Sequence, residues 1–135
     1  MTTTSASLFS ISDINELHAL WRVVAEAKFH PDPEDSDLWS SPYVQTLALR
    51  IADAILESEK ASGNVEAVER HLAWRRSLPS NVVLTAIRSK LRQDATQASW
   101  SRLSLLEKRD YLRARITPFT ADDRFLDALI KEIEA

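Results

Sequence analysis

The chain has 135 residues, a formal net charge of −3, 44% hydrophobic and 27% charged residues, one glycine and no cysteine. That is one domain's length and an ordinary globular composition, and it excludes disulfides, thiolate metal sites, iron–sulfur clusters and a cysteine nucleophile. A single glycine also argues against a strand-rich fold, whose tight turns recruit glycine, and points to helices joined by short loops.

Residues 1–9 form a Ser/Thr-rich start without a charged, apolar secretory pattern, expected to be a flexible N-terminus ahead of a single helical domain over 10–135. The spacing of Ile14, Leu17, Trp21 and Val24 predicts a first helix from about Ile11 to Lys28. Ser10 is its expected cap, with Phe9 and Ile14 as a hydrophobic staple. The segment from His30 to Ser41 holds Pro31 and Pro33 among Asp32, Glu34, Asp35 and Asp37, and reads as an acidic loop.

Ser41 and Pro42 then open a second helix through Leu47, Ala48, Ile51 and Ile55, which Gly63 stops. Asn64 caps a third, about Val65 to Ser77, whose apolar stripe is read as Val65, Val68 and Leu72, with Trp74 off it. A fourth helix, about Asn81 to Gln97, turns Val83, Leu84, Ile87 and Leu91 inward. Trp100 precedes a fifth, stapled against Leu105; Ser101 or Ser104 caps it, the latter forming a capping box with Glu107, and Pro118 ends it. Thr120 with Asp123 opens the last, with Phe125, Leu126, Leu129, Ile130 and Ile133 on one face. The expected fold is therefore all-α, a compact bundle of five to six helices with short connections. The last apolar face either completes the core or joins two copies as a homodimer through the C-terminal helix.

Much chemistry is excluded by the same residues. Phosphate-binding loops, dinucleotide turns and the serine nucleophile elbow each need several glycines at fixed spacing. The three histidines, His18, His30 and His71, form no HExxH and no Glu-x-x-His pair. The acidic loop lacks the ligand spacing, turn glycine and terminal glutamate of a calcium loop. No metal, no cofactor and no membrane segment is expected, and the expected location is cytoplasmic.

Three readings remain. The first is a small non-enzymatic protein-interaction or regulatory module, with Asp32, Glu34, Asp35, Asp37 and Trp39 as an acidic loop around an aromatic anchor; the alternative for Trp39 is that it pins the loop to the core together with Leu38. The second is a binder of nucleic acid or another polyanion. Residues 1–74 hold five basic and twelve acidic residues, a net of −7, whereas residues 75–135 hold twelve and eight, a net of +4. Arg75, Arg76, Arg88, Arg92, Arg109 and Arg113 are the candidates in that basic half. The third is a small-ligand binder or enzyme, which a protonatable group such as His71 beside a cleft between helices would support.

Overall fold

The computed structural model describes residues 8–135. Among these it is all-helical, with seven helices: α1 Ile14–Phe29, α2 Pro42–Ala61, α3 Val65–Arg75, α4 Val83–Ala95, the single turn α5 Ala98–Ser101, α6 Leu105–Ile116 and α7 Asp123–Glu134. Residues 1–7 of the expected flexible start lie outside the described residues. No described helix is long and apolar enough to cross a membrane.

Local chemistry sets the helix ends. Ser41 accepts from the Val44 amide with Pro42 at the first helical position, and Asn64 accepts from the Ala67 amide. Gly63, at φ +72°, breaks α2 from α3 in the left-handed conformation that glycine adopts without strain. Ser104 and Glu107 bond each other's backbone reciprocally. Two starts differ from the sequence reading. Asp13, not Ser10, caps α1 by accepting from the Asn15 and Glu16 amides, and its charge also suits the positive helix end. Phe9 is then left exposed, without the staple. Asp122 caps α7 by accepting from the Phe125 amide, so the helix starts beyond Thr120.

Packing follows the chain. Helix α1 lies along α2 and α2 along α3, while α4 and α6 both pack on α7. The larger core joins Phe29 and Trp39 to α4, α6 and α7, where Ile87, Leu91, Leu112 and Leu126 are fully buried. A smaller cluster of Leu17, Ile51 and Ile55 holds α1 to α2. Leu126, Leu129, Ile130 and Ile133 of α7 are all buried within the chain. The apolar face considered for a homodimer is thus spent on the chain's own core. Trp100 differs too. It sits buried in α5, with its indole donating to Glu134 at 3.1 Å, while Leu105 is exposed and unstapled.

Helix α3 is turned over relative to the sequence reading. Val65 and Leu72 face outward and Val68 is half-buried at the edge, while Ala67, His71 and Trp74 face the bundle. Both faces have helical spacing, and burial of the larger side chain decides between them. Trp74 meets Trp21 edge to face at 5.2 Å and Phe119 at 5.1 Å.

Candidate functional site

The loop between α1 and α2 is short of regular structure but not of anchors. The Asp32 amide donates to His30 Nδ1 at 2.9 Å, and Asp35 caps a 3-10 turn over Ser36–Leu38 by accepting from the Asp37 amide at 3.0 Å. Asp32, Glu34, Asp35 and Asp37 are all exposed. Among the described residues none of the four carboxylates has an ion-pair partner.

Trp39 does not share that exposure. It is 4% exposed, edge to face with Phe29, and its indole N–H donates to Asp94 Oδ2 at 2.9 Å. A tryptophan so enclosed does not offer its ring to a partner, so Trp39 is corrected from a contact residue to the pin that holds the loop to the core.

A polar network surrounds it. Asp94 Oδ2 also accepts from the Tyr111 hydroxyl at 2.5 Å, and the Arg115 guanidinium lies 3.3 Å over the Tyr111 ring. Burial, reinforced by the bond to Asp94, pushes the Tyr111 phenol up. On the other side Gln45 Nε2 donates to the Trp39 carbonyl at 2.6 Å, and Gln45 Oε1 is 3.1 Å from Thr117 Oγ1. Lys28, wholly buried, donates to the Thr117 carbonyl at 2.5 Å and to its hydroxyl at 2.7 Å. Burial first, and the nearby Arg115 charge second, pull the Lys28 amine down to about 6. At neutral pH Lys28 is therefore a neutral donor, which removes the cost of an unpaired buried charge.

The basic half is arranged quite differently. Arg75 pairs with Asp53 at 2.7 Å and donates to the Pro118 carbonyl at 3.1 Å. Arg88 pairs with Glu132 at 2.9 Å, and Lys108 with Glu134 at 2.7 Å. Arg109 grips Asp127 with two bonds of 2.7 Å, which lifts the guanidinium further and holds the Asp127 carboxyl below its usual range. Arg113 pairs with Asp123. Of the six arginines named for a polyanion, four are thus engaged by carboxylates. Arg76, at the end of α3, and Arg92, on α4, are exposed and carry no ion pair among the described residues. The sequence shows the excess of cations; apart from Asp110, which also pairs with Arg113 at 3.3 Å, the carboxylates that meet them come from 10 to 44 residues away.

One further group was only partly legible: the sequence points to His71 beside a cleft, but not to the side chains that form the cleft with it. His18, Trp21, Glu59, Arg70, His71 and Trp74 line a groove of about 350 Å³ between α1, α2 and α3. The signal for it was the Ala67, His71, Trp74 register of α3, masked by the equally regular valine and leucine face. No cluster of three or more histidine, aspartate or glutamate side chains able to hold a metal occurs among the described residues.

No family model, no curated protein and no solved structure matches this chain.

Proposed function

We propose that the domain is a non-enzymatic protein-interaction module that offers the acidic loop, Asp32, Glu34, Asp35 and Asp37, to a basic surface on a partner protein. The observation that carries this reading is the sorting of charge. Four arginines of the basic half are paired with carboxylates of the same chain, leaving Arg76, Arg92, Arg102, Arg124 and Lys131 exposed without an ion pair among the described residues, while every one of the four loop carboxylates is left to solvent. Free charge of one sign on a protein surface steers and selects a partner of the other sign.

Anchoring supports it as well. Trp39 at one end and the His30 bond at the other hold the loop's ends in place. A loop held before contact loses less entropy on binding, so more of the interaction appears as affinity.

The test compares the wild-type chain with the combined variant Asp32→Asn, Glu34→Gln, Asp35→Asn, Asp37→Asn in affinity co-purification from native lysate. Asparagine at 35 keeps the capping oxygen, so the thermal midpoint should not move. A stoichiometric partner with a basic contact surface, recovered by the wild type and lost by the variant, is expected. Equal recovery by both would refute the assignment.

A further inference from the structure

The groove between α1, α2 and α3 holds a combination of groups that the interaction reading does not use. Its walls include the Trp21 and Trp74 indoles with Ile55, and its volume of about 350 Å³ lies at the small end of the range for ligand pockets, about 300–1,000 Å³. Glu59 is the decisive polar group. Its side chain is 19% exposed, and its carboxylate accepts no hydrogen bond among the described residues. The nearest basic side chain is His18, whose Nε2 lies 4.0 Å away and which is itself half exposed.

Arg70 does not neutralise Glu59, for it is paired with Glu66 at 3.8 Å and is 70% exposed. His71 is 9% exposed, and its Nε2 is buried with no hydrogen-bond partner. Burial, and then the Arg75 charge, pull its pKa down, so the ring is neutral at pH 7 and adds no positive charge to the groove.

A partly buried carboxylate beside two indoles favours one ligand class. An anion would meet Glu59 unfavourably, and a neutral molecule would leave it uncompensated. A divalent metal would find no set of three ligands among the described residues. A cation with N–H donors and an apolar body pairs with the carboxylate and is attracted to the faces of aromatic rings. We propose that this groove is a binding site for a small organic ammonium ion, recognised by Glu59 through charge and by Trp21 and Trp74 through their rings.

The site is independent of the loop acids, and its test leaves them untouched. Benzylammonium is titrated into the intact protein while the indole N–H resonances of Trp21 and Trp74 are followed by NMR, with benzyl alcohol and benzoate as neutral and anionic counterparts. The expected result is saturable movement of both indole signals with a Kd of about 1 mM or below, and no saturation by either counterpart. Glu59→Gln should weaken benzylammonium about tenfold without moving the thermal midpoint. No saturable movement up to about 10 mM, equal response to benzyl alcohol, or an unchanged Kd in Glu59→Gln would overturn the proposal. The ligand series needs only the wild-type chain, so it stands even if a variant fails to fold.

Discussion

The acidic loop and the basic half handle their charge differently. The basic half has the greater number of charges, yet Arg75, Arg88, Arg109 and Arg113 are engaged by carboxylates of the same chain. The loop has only a few charged groups, yet all four of its carboxylates remain unpaired among the described residues. Counting charges along a sequence therefore overstates the basic surface more than the loop. What a partner meets is the charge left after internal pairing: all four carboxylates on the loop, and Arg76, Arg92, Arg102, Arg124 and Lys131 among the twelve cations of the basic half.

The comparison can be broken most forcefully at Trp39, which separates an anchor from a contact residue. Trp39→Ala removes a buried indole and leaves Asp94 short of one donor, so unfolding by urea should show a loss of about 3–5 kcal/mol. A loss below about 0.5 kcal/mol would mean the indole is not part of the core.

Next in size is the buried amine beneath the loop. Unfolded, Lys28 keeps its proton to near 10.5; folded, it releases it near 6. Between those values unfolding takes up a proton, so stability should rise with pH, by about 1 kcal/mol per unit from pH 7 to 9, and flatten below 6. Lys28→Met should abolish most of that slope. A wild-type slope of zero across this window would show the amine to be charged in the folded chain.

The smallest effect sharpens the contrast from the other side. Neutralising Asp32, Glu34 and Asp37 one at a time should change stability by less than about 0.5 kcal/mol in the same urea assay. A larger loss at any one of them would reveal a structural partner for that carboxylate and weaken its assignment to a partner surface.

How much of this was legible in the sequence depended on the range of the interaction. Ser41–Pro42, Gly63, Asn64 and the Ser104–Glu107 box act within a few residues, and each marks a helix end that the sequence reading also placed. The α1 cap was misplaced because Ser10 and Asp13 both have capping side chains, and only the chain's entry path selects Asp13. The face of α3 was misread because Val65 and Leu72 have the same helical regularity as Ala67, His71 and Trp74. Tertiary contacts of Trp74 with Trp21 and Phe119 resolve it, and those partners lie 53 and 45 positions away. The acidic loop was visible as composition, whereas the burial of Trp39 depends on Asp94, 55 residues on.

The most direct test of charge sorting is heparin chromatography at about 50 mM salt, where phosphate-like contacts are still strong. Three chains are compared: the wild type, the four-fold loop variant, and a variant with Asp53→Asn, Asp123→Asn, Asp127→Asn and Glu132→Gln. Each variant neutralises four carboxylates, so both shift the formal net charge of −3 by the same amount. The wild type and the loop variant should pass through, while release of Arg75, Arg88 and Arg109, with Arg113 left only its pair with Asp110, should retain the third chain. Retention of the wild type, or identical elution of the two variants, would contradict the account.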